Sequence, residues 1–287
     1  MFRPNLTVAA SRPSGGALTV DRGLQVLEAV SRADGPIGVR ELARTVDLSV
    51  ATAHRLLTSL QARGFVEQVG NRGEYRLGWG LLEYAARLIQ RTELLPTTIP
   101  LAAHLRDVSE ETVTVHIRLG DERVCVAEVE SHHDLHRAVG VGRRSPLVAG
   151  ASGRAILAFL PEPEVANLLS EPTGSNSTAI QKIGRERLME AVRETRAAGY
   201  ATSSEEWVPG VSSMAAPLLG PTGYAVGSVG IAGPVLRWTP TQMAVHRDEL
   251  LATAERMSHA LWVAGVATTG AQRSSELVGA LLPPLRP

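Results

Sequence analysis

Apolar residues recur with helical spacing at the start of the chain. Four of them fall three or four residues apart between positions 20 and 30, and they predict a helix over 18–34. A Gly- and Pro-containing break follows, and a second apolar group predicts a short helix over 39–46. Residues 47–49 then form a turn, and Ser49 is a suitable N-cap for a third helix.

The third helix is predicted to have two unlike faces. At about 100° per residue, one face is apolar and the other is polar. The apolar face consists of Val50, Ala53, Leu56, Leu57 and Leu60, and the polar face consists of Thr52, Arg55, Thr58 and Ser59. Gly64 is a common type of helix end. A helix of this kind packs its apolar side on the protein and leaves its polar side available.

Two short alternating segments follow this helix. Residues 65–69 and 74–77 alternate with the period of a strand, and the turn residues 70–73 lie between them. The order of helix, helix, turn, helix and hairpin predicts a winged helix-turn-helix.

The remaining pattern predicts a connecting helix and a mixed α+β domain. The helix over 79–93 carries a stripe of Leu81, Ala85 and Leu88, and Pro96 and Pro100 are expected to limit its extension. The segments predicted beyond it are a helix at 99–108, a strand hairpin at 112–119 and 123–130, a weaker strand at 136–144, a helix at 150–160, a loop at 171–178, a helix at 185–198, strands near 200–203, 211–216 and 224–232, and a long helix from Thr239-Pro240.

The resulting organisation is a disordered arm at 1–16, a DNA-binding domain at 17–78, a linker helix at 79–94, a second domain at 95–265 and a flexible tail at 266–287.

Composition narrows the class of protein. The 287 residues are 44% hydrophobic and 20% charged, and 29 basic residues balance 29 acidic ones. The whole molecule therefore has no net electrostatic attraction to nucleic acid or membranes. Cys125 is the only cysteine, which excludes an intramolecular disulfide. No apolar run approaches the ~20 residues of a membrane-spanning helix, so we expect a cytoplasmic protein without a membrane partner.

Three stretches resemble one known family. GVRELARTVDLSVATAHRLLTSLQARGFVEQ, followed by GEYRLG, resembles the N-terminal winged helix of the IclR family of bacterial transcription regulators. VGRRSPLVAGASGRAILAFLP and AAGYATSSEEWVPGVSSMAAPLLGPTGYAVGSVGIAGP resemble two regions of that family's effector-binding domain. The three stretches occur in the family's order, and the resemblance covers about residues 18–265.

The resemblance implies a fold and a mode of action. It implies an N-terminal domain that binds DNA, a GAF-like C-terminal domain that binds a small effector, and a dimer or a dimer of dimers. The effector is expected to be an organic or aromatic acid that tunes operator binding, with either repression or activation as the outcome. Two-fold symmetry would require a near-palindromic double-stranded operator with half-sites about one helical turn, or a multiple, apart.

The polar face of the third helix is the expected reading surface. Arginine can bind guanine O6 and N7 with two hydrogen bonds, and hydroxyls bind phosphates. The residues expected to contact DNA are Arg40, Ser49, Ala51, Thr52, Arg55, Arg72 and Arg76. Residues 37–78 hold six arginines and four acids, a small excess, so the order of elements supports DNA binding more than charge does. The alternative is that an arginine on the polar face of a helix is simply solvated and does not contact DNA.

The effector pocket is inferred from the resemblance. AGASGRA, at 149–155, begins a helix whose N-terminus would favour a carboxylate. The residues implied to line the pocket are Ala151, Ser152, Ser203, Val211, Ser212, Ser213, Gly230 and Ala232. Ser203 replaces an Asp that some relatives carry, and Gly230 and Ala232 replace two serines. These replacements suggest a larger or more apolar effector, such as an aromatic acid or a lactone. The alternative is that these small residues serve close helix–sheet packing.

Other functions remain open to test. His132, His133 and His136 lie near Asp134 and resemble a metal-binding cluster, but a surface loop is the more common explanation, and no cofactor is expected. Ser203, Ser213 and His116 contain the residue types of a hydrolase, but no nucleophile-elbow motif accompanies them, so we do not expect an enzyme. A ligand-sensing protein that has lost DNA binding is the remaining alternative.

Overall fold

The computed structural model divides the chain into two compact units. The units comprise Met1–Arg91 and Thr92–Pro287. The residues that the structure describes are 15–70, 73–92, 94–170, 172 and 174–263. The predicted tail lies outside this set, as does most of the predicted arm. Residues 15 and 16 of that arm already belong to the first helix.

The N-terminal unit is a winged helix-turn-helix, as predicted. Its elements are α1 (Gly15–Arg32), β1 (Ile37–Gly38), α2 (Val39–Thr45), α3 (Val50–Gln61), β2 (Val66–Val69), β3 (Glu74–Leu77) and α4 (Gly80–Thr92). The three strands pair antiparallel in the order β1-β3-β2. The two-residue β1 is too short to show an alternating pattern, and it fell within the predicted break.

The core of this unit brings α1, α2, α3 and the wing together. It contains Val26, Val30, Ile37, Leu42, Leu57, Val66 and Tyr75. The stripe predicted for α1 is partly wrong, because Val20 is 65% exposed and Leu24 is 55% exposed. Val50 of α3 is also exposed, whereas Ala53 and Leu57 are fully buried. The inward face of α3 is therefore narrower than predicted.

Three glycines join the end of α3 to the start of α4. Gly64 has a positive φ of 72°, and its carbonyl accepts a hydrogen bond of 2.9 Å from the Gly80 amide. A Cβ at Gly78 would lie 2.3 Å from the Gly64 carbonyl oxygen, and a Cβ at Gly80 would lie 2.7 Å from it. The Phe65 and Tyr84 rings meet edge to face at 5.2 Å. Only glycine permits this backbone approach.

The C-terminal unit is built on a six-stranded antiparallel sheet. Its elements are α5 (Leu94–Ser109), β4 (Thr112–Leu119), β5 (Glu122–Val129), β6 (Arg144–Pro146), α6 (Gly150–Leu157), α7 (Glu162–Ser170), α8 (Gly174–Ile183), α9 (Arg185–Ala198), β7 (Ala201–Ser204), β8 (Val211–Leu219), β9 (Ala225–Pro234), α10 (Pro240–Val245) and α11 (Arg247–Val263). The strand order is β6-β5-β4-β9-β8-β7. This arrangement confirms the predicted mixed α+β class.

The two faces of the sheet carry different helices. Apolar residues of β4, β8 and β9, such as Val115, Met214 and Ile231, pack with α5, α10 and α11. On the other face, Ala151 and Ala155 of α6 pack with alanines of β7 and β8. Helices α6 to α9 share a second apolar cluster on that side.

Several predicted boundaries in this unit are wrong. The helix predicted at 99–108 begins earlier, at Leu94, so Pro96 and Pro100 lie inside α5. Of the weak strand predicted at 136–144, only residue 144 belongs to a strand, β6, and most of the loop predicted at 171–178 belongs to α8. Helix α7 was not predicted, and the last helix is divided at His246. No helix in the described ranges is long and apolar enough to cross a membrane.

Candidate nucleic-acid and ligand sites

The start of α3 is fixed by two hydroxyl side chains. Ser49 is the N-cap, and its Oγ accepts a hydrogen bond of 3.2 Å from the Thr52 amide. The Ser49 and Thr52 hydroxyls also share a hydrogen bond of 2.8 Å. Asp47 has a φ of 51°, which an aspartate tolerates in a tight turn. These contacts hold the first turn of α3 in place and confirm the predicted cap.

The outward face of α3 is uncovered within the N-terminal unit. Ala51 and Arg55 are exposed on α3, and Arg40 is exposed on α2. Neither the Arg55 nor the Arg40 guanidinium has a hydrogen bond or ion pair with any residue that the structure describes. A guanidinium in this state is free to bind an anion or a base edge from another molecule.

The wing contributes one described arginine. Arg76 of β3 forms an ion pair with Glu67 of β2, with Nε and Oε1 separated by 2.6 Å. Both side chains are partly exposed, so the pair is weak enough to exchange for a phosphate contact. Arg72 lies outside the described residues.

Three of the predicted ligand residues lie side by side on the sheet. Ser213 of β8 is directly opposite Ser203 of β7 and Ala232 of β9. Because Ala215 of β8 contacts α6, the alternation of side chains places Ser213 on the α6 face as well. Val211 lies on the same face for the same reason. The structure thus brings four predicted residues to one surface.

Ser212 does not belong to that surface. Its side chain has the same orientation along β8 as Met214, which packs with the helices of the opposite face. Its hydroxyl lies 3.0 Å from the Ser204 hydroxyl. The prediction that neighbours Ser212 and Ser213 form one wall is therefore wrong, since consecutive strand residues point in opposite directions.

The small residues of the predicted pocket have packing roles. A Cβ at Gly230 would lie 2.8 Å from the Ser152 hydroxyl and 3.0 Å from the Met214 carbonyl oxygen. Ala151 is 1% exposed and packs among Ala155, Ala201 and Ala215. The close approach of α6 to the sheet therefore explains Gly230 and Ala151, while Ser152 places a hydroxyl against β9.

A buried ion pair next to Ser203 was not predicted. The Arg154 guanidinium of α6 donates to both carboxylate oxygens of Glu206 and to the Thr202 carbonyl. The Ser203 hydroxyl donates to Glu206 Oε2 at 3.4 Å. The sequence signal was the position of Arg154 on a helix whose neighbouring positions are apolar. The surroundings of Ser203 are therefore more polar than we expected from the replacement of an Asp and two serines that some relatives carry.

A cavity of about 600 Å³ borders this ion pair. It lies between α9, β7 and α10, and Arg154, Ser203 and Glu206 line one side of it. Arg187, Glu190 and Glu194 of α9 line the other. Of the predicted ligand residues, this cavity includes only Ser203.

The histidine cluster is held by local contacts. The His136 Nδ1 lies 2.8 Å from the His133 carbonyl oxygen, and its Nε2 lies 3.3 Å from Glu130. His132 lies 3.9 Å from Asp107. Within the described part of the chain, no three His, Cys, Asp or Glu side chains converge on a metal position.

Comparison with known proteins matches both units to domains of one family. Residues 19–70 match the family described as the IclR helix-turn-helix domain, and residues 86–259 match the bacterial transcriptional regulator IclR C-terminal family. The transcriptional repressor IclR of Escherichia coli is 30% identical over 234 residues, which cover 81% of this chain and 85% of that protein.

Solved structures share the fold. An IclR transcriptional regulator from Silicibacter sp. has a TM-score of 0.75 and 26% identity, and the match covers 85% of this chain and 96% of that one. An IclR homologue from Microbacterium hydrocarbonoxydans, complexed with 4-hydroxybenzoate, has a TM-score of 0.70 and 20% identity, with coverage of 85% and 98%.

Proposed function

Because the chain belongs to the IclR family of bacterial transcriptional regulators, we propose that it reads a near-palindromic operator with α3 in response to a small organic acid. The observation that carries this proposal is the outward face of α3, where Arg55 is exposed and unpaired among the described residues. A helix of this kind enters the major groove, while contacts to phosphates set its register. The protein would act in the cytoplasm, where its DNA is.

Each exposed residue has a distinct role in this proposal. Arg55 binds a guanine edge with two hydrogen bonds, and Ala51 lets the helix approach the bases closely. The Ser49 and Thr52 hydroxyls and Arg40 bind phosphates on either side of the groove. Arg76, with Arg72, contacts the backbone beside the wing.

A second copy of the chain would supply the other half-site. Of the stripe predicted on α4, Ala85 and Leu88 are exposed, and Tyr84 on the same side of the helix is 58% exposed. Apolar side chains exposed along one face of a helix are typical of a surface that another subunit covers. A two-fold pair of this kind spaces two recognition helices by one helical turn of DNA or a multiple of it. The assembly would be a dimer or a dimer of dimers.

The effector would bind against the α6 face of the sheet. Ser152, Ser203 and Ser213 offer hydroxyls there, and Ala232 and Val211 offer apolar contacts. The amides at the start of α6 favour a carboxylate because the Ala149 N-cap provides no side-chain hydrogen bond. A chain of this fold holds 4-hydroxybenzoate, and an aromatic acid or a lactone fits the mixed polar and apolar lining of this face.

Operator binding is tested with an Arg55→Ala variant. DNA from the region upstream of the gene is used in a gel-shift assay with wild-type protein, Arg55→Ala and the control Arg63→Ala. Arg63 is also exposed but lies beyond the end of α3. We expect Arg55→Ala to lose specific binding and Arg63→Ala to retain it. Equal binding by all three proteins would contradict the assignment of α3.

Effector binding is tested by thermal shift with a panel of organic acids. A ligand that binds the folded state raises its melting temperature. Ser213→Ala and Ser152→Trp should reduce the response to an active acid, whereas Ser212→Ala, on the opposite face, should preserve it. A response that Ser213→Ala and Ser152→Trp leave unchanged would place the effector elsewhere. A ligand response without any operator binding would instead favour a sensing protein that does not bind DNA.

A further inference from the structure

Three buried polar residues lie together on the α6 face, beside the proposed effector residues Ser152 and Gly230. His116 of β4 is directly opposite Ser228 of β9 and Cys125 of β5. Arg123 lies two residues from Cys125 along β5, on the same face. His116 is 4% exposed, Arg123 is 6% exposed and Ser228 is fully buried.

Each of these residues has a polar atom without a partner. His116 Nδ1, Arg123 Nε and Ser228 Oγ are buried and form no hydrogen bond with any residue in the described ranges. The Arg123 guanidinium donates from Nη1 to the Pro146 carbonyl. Buried polar groups in folded proteins are nearly always hydrogen-bonded, so three neighbouring exceptions on one surface require an explanation.

The charge of this cluster is also uncompensated. No carboxylate of the described residues lies within ion-pair distance of Arg123, and the nearby guanidinium of Arg154 is already paired with Glu206. Arg123 lies beneath the first turn of α6, since a Cβ at Gly153 would be 2.5 Å from its Nη1. The start of a helix adds further positive potential.

Burial of this cation carries an energetic cost. Desolvation lowers the pKa of Arg123 to about 10, so the side chain still carries its charge at neutral pH. Burial and the charge of Arg123 also lower the pKa of His116, which keeps the imidazole neutral. A buried charge without a counter-charge is strongly unfavourable, and an anion at this position would remove the penalty.

We propose that His116, Arg123 and Ser228 form an internal binding site for a small inorganic anion of halide size. Arg123 Nε–H and the Ser228 hydroxyl donate hydrogen bonds to it, and neutral His116 donates from Nδ1–H. The near-complete burial of all three side chains favours an ion of this size over an organic acid. The site borders the proposed effector residues, since Gly153 follows Ser152 and Ser228 lies two residues from Gly230 on β9, but it uses none of them.

The proposal is tested by comparing two sodium salts. The full-length protein is melted in sodium bromide and in sodium gluconate at equal ionic strength, because gluconate is too large for the site. We expect bromide to raise the melting temperature in a saturable manner, by about 2–4 °C per kcal/mol of binding linkage in a chain of this size. Bromide-soaked crystals should show an anomalous peak beside Arg123 Nε.

Variants identify the residues responsible. Arg123→Met should abolish the difference between the two salts, and Ser228→Ala should raise the half-saturating bromide concentration by about tenfold or more. Arg144→Met, which removes a partly exposed arginine of β6, should leave the bromide effect intact. The proposal is overturned if wild-type protein melts identically in both salts, or if Ser228→Ala retains the full bromide effect. Should Arg123→Met fail to fold, the Ser228→Ala variant and the anomalous peak decide the question.

Discussion

Helices α3 and α6 each carry an arginine, and the surroundings of the two side chains are opposite. Arg55 of α3 extends from an exposed face and binds no described residue. Arg154 of α6 is 4% exposed and binds Glu206 and the Thr202 carbonyl. Both helices begin after a turn and contain small residues.

Burial and pairing decide which of the two arginines is available to a partner. A buried arginine whose donors are occupied stabilises its own domain, and removing it leaves a carboxylate without a counter-charge. An exposed arginine without a partner adds little to stability and can bind another molecule. We therefore expect substitutions in α6 to affect folding and substitutions in α3 to affect recognition. Four measurements test this contrast.

The largest effect is expected for Arg154→Ala. Removing one member of a buried ion pair should lower the free energy of unfolding by about 3–5 kcal/mol. Arg55→Ala should change it by no more than about 0.5 kcal/mol. Urea denaturation measures both values. In the matched control, Arg154→Met combined with Glu206→Leu should recover most of the loss, and equal stability of the two single variants would end the contrast.

The second measurement concerns packing space. A Cβ at Gly153 of α6 would lie 2.4 Å from the Leu147 carbonyl oxygen, so Gly153→Ala should cost about 1–3 kcal/mol. Ala51→Ser on the exposed face of α3 should stay within about 0.5 kcal/mol of the wild type. Melting temperatures of the two variants provide the test. A tolerated alanine at 153 would show that α6 has room to shift.

The third measurement concerns pH. Burial, together with Arg123, depresses the pKa of His116 in the folded protein, so the unfolded chain binds more protons below pH 6.5. Stability should thus fall as the pH drops below that value, by up to about 1.4 kcal/mol per pH unit. Arg123 and Cys125 are the ionisable residues of β5 that neighbour His116 on this face. His116→Asn should flatten the slope, whereas His54→Asn on exposed α3 should not, and parallel slopes for all three proteins would contradict the assignment.

The smallest effect is expected at the start of α3. Ser49→Ala removes the N-cap hydrogen bond to the Thr52 amide and should cost about 1 kcal/mol. Ser49→Asp restores an acceptor and should recover most of this loss. Chemical denaturation checks the order of the three proteins. A fully stable Ser49→Ala variant would mean that packing alone holds the first turn.

Local signals account for the elements that were predicted well. Helix α9 begins and ends at the predicted residues because Gly184 and Gly199 flank it and buried Leu188 and Val192 repeat within it. Strand β4 also has its predicted bounds, since it alternates without interruption. Helix α8 was predicted as a loop from its Gly, Ser, Asn and Thr residues. In the structure, Asn176 binds the Asp121 carbonyl at 2.8 Å, and such a contact across the fold overrides a weak local preference.

In the candidate sites, too, features set by neighbouring residues were predicted and features set by distant contacts were not. The cap of α3 and its exposed face follow from neighbouring residues, so the sequence predicts them. The Arg154–Glu206 pair joins residues 52 positions apart, so the local pattern around Arg154 could indicate its burial but not its partner. Ser212 was assigned to the wrong face because the resemblance named a segment without the direction of each side chain. The GAF-like comparison and the residue roles in DNA and effector binding stay predictions.

The glycine contacts between the end of α3 and the start of α4 have a mechanical consequence. The Gly64 carbonyl is in direct contact with the backbone of Gly78 and Gly80, with no side chain between them. Helices α3 and α4 therefore have little space in which to move relative to each other. We therefore expect a displacement of α4 to be passed to α3 rather than absorbed between them. If α3 reads DNA as proposed, a mutation that loosens this junction should weaken that transmission while leaving both helices folded.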